Sequence, residues 1–194
     1  MIDVKLLEQR IAADARVIGS DILKVDMFLN HCIDVALIDE MGSELYRLFC
    51  DCGVNKILTV EASGIPIACA AARFFKVPVV FAKKGSHKNV GDDVYTAEVF
   101  SFTKGEPYVM KVAKSYLNKE DKILIIDDFL ANGAAAFGLL ELCAAAGAEI
   151  KGIGIGIEKG FQPGGKKLRD MGINLKSLAI IDEMSEDNLV FRPQ

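Results

Sequence analysis

Hydrophobic residues in the first half of the chain follow two different spacings. Three stretches, at 4–16, 35–50 and 65–75, either repeat apolar residues at the intervals of one helix face or are rich in alanine, and each predicts a helix. Two short apolar runs, at 56–60 and 77–81, have the length and the branched residues of buried strands. This half of the chain is therefore predicted to alternate between helices and strands.

Apolar and polar residues begin to alternate one by one in the middle of the chain. The alternation over 94–102 predicts an antiparallel strand, and 108–114 is its expected hairpin partner. A helix rich in Ala and Leu is predicted from 132 to about 147. Further buried strands are predicted at three apolar runs: 122–126, 150–157 and 178–181.

Strands that alternate with helices favour an α/β fold with a mainly parallel, twisted sheet flanked by helices and joined by right-handed crossovers. An antiparallel hairpin and a polar, Gly-containing loop at 85–93 are added to this sheet. Gly152, Gly154 and Gly156 share one face of their predicted strand. We expect these glycines to let an Ala-rich helix pack closely against the sheet.

Size and composition narrow the class of protein. The 194 residues fit one domain, and the 51% hydrophobic content with a net charge of −4 favours a soluble globular protein over a nonspecific nucleic-acid binder. We find no apolar stretch of membrane-spanning length and no secretory signal pattern. Five cysteines without a disulfide or zinc spacing, and only two histidines, predict reduced thiols in a cytoplasmic protein without a His/Cys metal site.

Two adjacent acids follow the predicted strand 122–126. Asp127 and Asp128 should stand at the carboxyl end of the sheet, where ligands of open parallel sheets bind. Carboxylates suit vicinal hydroxyls, whereas backbone N–H groups at the next helix start suit a phosphate, so a phosphorylated ribose would satisfy both. The alternative is a strand terminus followed by a helix cap. The N–H groups in question belong to Ala131, Asn132, Gly133, Ala134 and Ala135.

A second turn of the same kind follows the strand 56–60. It is formed by Glu61, Ala62, Ser63 and Gly64, and it suits pyrophosphate accompanied by Mg²⁺; a simple Gly turn with a Ser cap is the alternative. Lys83 and Lys84 end the next predicted strand and could neutralise a departing pyrophosphate. A solvated strand end is the other interpretation of this lysine pair.

The sequence Ile-Ile-Asp-Asp-Phe-Leu-Ala-Asn-Gly at 125–133 resembles the signature of the type I phosphoribosyltransferases. The resemblance implies that Asp127 and Asp128 hold the ribose hydroxyls of phosphoribosyl pyrophosphate (PRPP) and that 131–135 hold its 5′-phosphate. This chain departs from the usual pattern, since Ala131 and Asn132 replace small hydroxylated residues. Backbone N–H groups and the Asn132 side chain must then replace the lost hydroxyl bonds, and a general base from this loop is not expected.

Further segments resemble the bacterial members of this family that use xanthine: 20–34, 60–66, 78–84, 95–104 and 154–164. The resemblance implies one domain, 1–194, with a hood formed largely by 1–52 and a core from 53 onward. It places Leu23 and Asn30 against the purine and Lys159 against an exocyclic oxygen of the base.

The resemblance also implies the reaction: PRPP and xanthine give xanthosine 5′-monophosphate and pyrophosphate, in purine salvage. Mg²⁺ would be bound mainly through PRPP, the protein would be a homodimer, and 85–93 would close over the cleft. Two rivals stay open, an enzyme for hypoxanthine and guanine and a PRPP-sensing regulator that does no chemistry. The segment 160–167 approaches a P-loop, but Lys167 replaces the Mg²⁺-binding Ser or Thr and Pro163 lacks an N–H, so a nucleotide triphosphatase is not favoured.

Overall fold

The computed structural model describes residues 5–19, 22–85, 93–101, 105–186 and 188–193. Almost all of the loop predicted to close over the cleft, including His87 and Lys88, lies outside these ranges. Within them the chain forms five α-helices: α1 (Lys5–Asp14), α2 (Val35–Phe49), α3 (Gly64–Phe75), α4 (Ala134–Ala146) and α5 (Pro163–Asp170). None of these helices combines the length and the apolar composition needed to cross a membrane.

The described ranges also contain ten strands: β1 (Arg16–Ile18), β2 (Ile22–Lys24), β3 (Lys56–Val60), β4 (Val79–Lys84), β5 (Val94–Ser101), β6 (Glu106–Ala113), β7 (Lys122–Leu130), β8 (Glu149–Lys159), β9 (Leu175–Ser185) and β10 (Asn188–Phe191). One π-helical turn covers Asp26–Asn30, and 3₁₀ turns cover Cys50–Cys52 and Lys114–Tyr116.

Eight strands form one sheet in the order β10-β9-β8-β7-β3-β4-β6-β5. The ladders from β9 to β4 are parallel, and the ladders that add β10, β6 and β5 are antiparallel. Two hydrophobic clusters lie against the sheet, one with α1, α2 and α3 and the other with α4, α5 and buried side chains of β5 and β6. The predicted α/β fold with a mainly parallel sheet is confirmed.

The order of the parallel strands reverses between β3 and β7. From β3 the chain moves outward to β4, whereas from β7 it moves in the other direction to β8 and β9. The paired register of β3 and β7 ends at Leu58 and Ile125, so the two strands separate beyond that point. A crevice at such a reversal is where doubly wound sheets bind their ligands.

Beyond the separation, β7 continues to Leu130, so Asp127 and Asp128 are strand residues. The expectation that both acids follow the strand was wrong. The physical reason is β8, which stays paired with β7 beyond the apolar run, with Asp127 opposite Ile155 and Leu130 opposite Glu158. Long-range pairing of this kind also makes β8 and β9 longer than their predicted runs.

The glycines of β8 accommodate α2, which is not the Ala-rich helix that we expected. A Cβ at Gly154 would lie 2.7 Å from Leu45 Cδ2, and one at Gly156 would lie 3.1 Å from Met41 Cε. At Gly152 a Cβ would collide with the Phe49 ring. Large side chains spaced four residues apart on α2 therefore fill the space that the glycines leave. The expectation of close helix packing holds, but the helix is mainly α2, and the Ala-rich α3 reaches only Gly156, through Ile67.

Candidate active site

A cleft of about 550 Å³ opens at the carboxyl edge of the sheet, where β3 and β7 separate. Its walls come from the β3–α3 turn, the end of β4, the β5–β6 hairpin and the segment from β7 into α4. Most of the residues predicted for PRPP line it: Glu61, Ala62, Ser63, Lys84, Asp127, Asp128, Ala131, Asn132, Gly133, Ala134 and Ala135.

The two acids lie in different environments within this cleft. Asp127 is 6% exposed, and its Oδ1 accepts a hydrogen bond from the Asp128 backbone N–H at 3.0 Å. Asp128 is only partly buried. Burial, and next the negative charge of Asp128, raise the pKa of Asp127 well above its ordinary value, while the Lys84 ammonium opposes this rise. Neither acid caps a helix, because the residue that caps α4 is Gly133, so the capping alternative is wrong.

The loop before α4 is held by the start of α5. The Gly164 N–H donates to the Ala131 carbonyl oxygen at 3.0 Å. Gly133 has φ +88°, and a Cβ there would lie 2.9 Å from the Phe137 ring and 3.2 Å from Gly164 Cα. Glycine is needed at 133 for both its backbone conformation and its close contacts. Because of these contacts, the small-residue loop has a fixed shape beside the cleft.

The β3–α3 turn forms the opposite wall. Glu61 Oε1 accepts a hydrogen bond from the Lys84 backbone N–H at 2.6 Å, which joins this turn to the end of β4. The peptide bond between Glu61 and Ala62 is cis. Ser63 precedes α3 but makes no side-chain capping hydrogen bond, so the simple Ser-cap interpretation is wrong. Ser63 lines the cleft wall.

Several predicted site residues lie outside the cleft lining. Gly64 is buried beneath the turn against Asp127, and Lys83 pairs with Lys111 in the β4–β6 ladder. Leu23 is buried in the core, while Asn30 is exposed at the end of the π-helical turn. Lys159 ends β8, and its Nζ is 6.0 Å from the ring centroid of Phe129, a residue that does line the cleft.

The β5–β6 hairpin contributes wall residues that the sequence analysis missed. Phe100, Glu106, Pro107 and Tyr108 all line the cleft. Burial, with a smaller contribution from the Asp127 charge, raises the pKa of Tyr108, and Lys84 Nζ is 5.6 Å from its ring centroid. The alternating pattern predicted the hairpin, but it carried no signal that the hairpin covers the carboxyl edge.

Comparison with known proteins decides the family, although no family model matches the chain. A xanthine phosphoribosyltransferase from Ruminiclostridium cellulolyticum is 59% identical over 188 residues, which cover 97% of this chain and 99% of the relative. Proteins with the same name from Alkaliphilus metalliredigens and Clostridium novyi are 54% and 52% identical, over 97% of this chain and 94% and 100% of their own lengths. The chain belongs to the xanthine phosphoribosyltransferase family.

Solved structures show that this xanthine phosphoribosyltransferase family member has the fold of the adenine enzymes. The adenine phosphoribosyltransferase of Trypanosoma brucei, solved with AMP, pyrophosphate and ribose-5-phosphate, superposes with a TM-score of 0.78 at 15% identity over 94% of this chain and 82% of its own. The enzyme of Giardia lamblia, solved with 9-deazaadenine, gives 0.72 at 21% identity over 90% and 96%. The predicted resemblance to type I phosphoribosyltransferases is confirmed.

Proposed function

We propose that this chain transfers the 5-phosphoribosyl group of PRPP to xanthine, giving xanthosine 5′-monophosphate and pyrophosphate in purine salvage. The observation that carries the proposal is one cleft in which Asp127 and Asp128 lie between the loop 131–135 and the turn Glu61–Ser63. This arrangement offers acceptors for hydroxyls between two groups of backbone N–H donors, in a chain whose relatives are named xanthine phosphoribosyltransferases.

We place the 5′-phosphate of PRPP at the start of α4. A helix dipole supplies at most ~2 kcal/mol, whereas micromolar binding requires about 8 kcal/mol. Charge-assisted bonds from several backbone N–H groups, at about 1.5–3 kcal/mol each, make up the difference. Ala134 and Ala135 line the cleft and add no bulk beyond a methyl group, which allows a phosphate to approach the backbone.

The ribose belongs over the acids, and the pyrophosphate belongs at the opposite wall. Asp127 and Asp128 accept hydrogen bonds from the vicinal hydroxyls, which fixes the anomeric carbon between the two walls. Lys84, whose side chain is exposed at the cleft, is placed to neutralise the leaving pyrophosphate. Of the two lysines predicted for this role, only Lys84 lines the cleft. A role for Lys83 rests on the family resemblance.

In the reaction, the bond between the anomeric carbon and the pyrophosphate oxygen breaks, and its electron pair leaves with pyrophosphate. A purine ring nitrogen supplies the electron pair of the new glycosidic bond, and its proton passes to the departing pyrophosphate. The carbon passes through an oxocarbenium-like state, so the protein mainly positions the reactants and excludes water. We assign no side chain of the loop 131–135 as a general base, because it holds no titratable group.

Xanthine carries two carbonyl oxygens and ionises more readily than hypoxanthine, so a cation favours it. We assign that cation to Lys159, whose Nζ lies 6.0 Å from the ring centroid of the cleft residue Phe129. Adenine would present an amino donor to this donor. The proposed roles of Leu23 and Asn30 against the purine rest on the family resemblance. In this structure Leu23 packs into the core and Asn30 is exposed.

Magnesium fits this cleft as a partner of PRPP. Among the described residues no three His, Cys, Asp or Glu side chains lie together as a metal site. Mg²⁺ commonly keeps several waters and binds through substrate phosphates, and in this cleft it would neutralise pyrophosphate charge. We also propose a cytoplasmic homodimer with a hood at 1–52 on a core from 53 onward, on the strength of the family resemblance.

A product assay tests the proposal: labelled PRPP is incubated with Mg²⁺ and with each of xanthine, guanine, hypoxanthine and adenine. We expect labelled nucleotide and pyrophosphate, formed most efficiently with xanthine. Equal turnover of guanine would contradict the xanthine assignment. Binding of PRPP without its consumption would instead support the regulator.

A further inference from the structure

Thr59 places a buried hydroxyl behind the cleft wall, next to the lining residue Val60. The residue is 0% exposed, and its Oγ1 forms no hydrogen bond with any residue in the described part of the chain. A buried hydroxyl without a partner is destabilising relative to an apolar group of the same shape. Its presence on β3, directly after the last residue paired with β7, therefore requires an explanation.

Gly64 leaves open a small space that Thr59 shares with the buried acid of the cleft. A Cβ built at Gly64 would lie under 3.0 Å from both Thr59 Oγ1 and Asp127 Oδ1. Both oxygens thus face the same point, and any residue larger than glycine at 64 would separate them. Each oxygen lies at the end of a rotatable bond, so rotation of either side chain changes the distance between the hydroxyl and the carboxylate.

We propose that Thr59 is a positioning residue whose hydroxyl donates a hydrogen bond to the Asp127 carboxylate when that carboxylate holds the ribose of PRPP. The proposal rests on the function proposed above, because it assumes that Asp127 binds the ribose. It accounts for the unpaired hydroxyl and for the glycine at 64 by one interaction, which forms when the substrate orients the acid.

The ionisation of the Asp127 carboxyl depends on the charged and titratable groups around it, and the Thr59 hydroxyl would act on the same ionisation. Asp128 on the same strand disfavours the Asp127 carboxylate, and Lys84 on β4 favours it. Tyr108 on β6 lies close enough for its own pKa to respond to Asp127. A hydroxyl that donates to the carboxylate favours the ionised form. Removing it should make the carboxylate harder to form and harder to orient.

The test compares Thr59→Val, which keeps the shape, with Thr59→Ser, which keeps the hydroxyl. We expect Thr59→Val to weaken PRPP binding about tenfold. The loss of PRPP affinity on acidification should also begin at a higher pH than in the wild type. Thr59→Ser should keep the wild-type PRPP affinity and its wild-type pH dependence. The KM for xanthine at saturating PRPP should be the same in both variants and the wild type. PRPP affinity is measured by calorimetry without purine across pH, with thermal unfolding as the check on folding.

A double-mutant cycle with Asp127→Asn separates this role from general destabilisation. In the Asp127→Asn background, Thr59→Val should cause no further loss of PRPP affinity. Wild-type affinity and an unchanged pH dependence in Thr59→Val would overturn the inference, as would a full tenfold loss in both backgrounds. If Thr59→Val does not fold, Thr59→Cys replaces it and is compared with Thr59→Ser under the same criteria.

The same experiment distinguishes this inference from the proposed function. If Asp127→Asn and Asp128→Asn both leave PRPP binding unchanged, the ribose site itself is wrong. If those variants lose PRPP while Thr59→Val does not, only the role of Thr59 fails.

Discussion

The Gly164 N–H donates a hydrogen bond to the Ala131 carbonyl oxygen at 3.0 Å. This contact ties the start of α5 to the loop before α4. It links the segment that follows Lys159 to the proposed phosphate loop, so the proposed base side and the proposed phosphate side of the cleft share one support. Part of the segment that approaches a P-loop in sequence thus packs against the proposed phosphate loop.

Gly164→Ala should therefore weaken PRPP binding. A Cβ at Gly164 would lie 2.7 Å from Gly133 N and 2.8 Å from Asn132 C, and both are backbone atoms that cannot yield without moving the loop. We expect about a tenfold rise in the PRPP dissociation constant, measured by calorimetry, since one or two backbone contacts to phosphate would be misplaced.

Gly172→Ala is the matched control for this change. Gly172 has φ +77° and open space around its Cβ position, so its substitution strains the backbone without touching the loop. It should lower thermal stability while leaving PRPP affinity unchanged. If both variants lose PRPP affinity equally, the contact at Gly164 has no specific role.

Asp128→Asn should reduce kcat/KM for PRPP about 100-fold, because it removes a charge-assisted acceptor for a ribose hydroxyl. Glu141→Gln, an exposed residue on α4, removes the same charge outside the cleft and should behave as the wild type. Steady-state kinetics with varied PRPP measure both. Wild-type kinetics in Asp128→Asn would exclude the ribose role.

Asp127→Asn should stabilise the fold at neutral pH while it impairs PRPP binding. The pKa of Asp127 is raised by burial and by Asp128, so the native state holds this proton more tightly than the unfolded chain, whose carboxyl has a pKa of about 3.9. The stabilisation by the protonated carboxyl is complete below that value and is lost as pH rises through the raised native pKa.

Asparagine keeps a neutral side chain at every pH and avoids this loss. We expect the Tm of Asp127→Asn to exceed that of the wild type by about 2–4 °C at pH 7 and the difference to vanish near pH 3. Thermal unfolding across pH measures it. A gain that is larger in acid than at neutral pH would contradict the assigned direction of the pKa shift.

Lys159→Ala should reduce xanthine turnover more than PRPP binding, because it removes the proposed cation for the base oxygen and leaves the phosphate loop intact. We expect about a tenfold loss in kcat/KM for xanthine with an unchanged PRPP dissociation constant. Lys176→Ala, on the neighbouring strand β9 and exposed, is the control. An unchanged xanthine response would remove Lys159 from the base site.

The local patterns predicted the elements whose ends are marked by local chemistry. The helix α4 ends before Gly147, which has φ +69°, and glycine is the residue that commonly ends a helix in this way. The strand β3 ends where the turn at Glu61 begins. At such places a few neighbouring residues decide the structure, and a single sequence contains the information.

Elements that depend on distant partners were predicted less well. The end of β7 is set by pairing with β8. The helix that packs on Gly154 is the one that contains Leu45, a residue more than a hundred positions away in the chain. The hairpin residues Phe100 and Tyr108 enter the cleft because β6 pairs with β4. The hydrophobic periodicity of a segment predicts which of its residues are buried, but it does not predict which other segment packs against them.

The decisive measurement is a structure of the protein with PRPP bound and no purine. We expect the ribose hydroxyls to contact the carboxylates of Asp127 and Asp128, with the 5′-phosphate on the backbone N–H groups of 131–135 and the pyrophosphate near Lys84. PRPP bound at another surface, with this cleft empty, would contradict it.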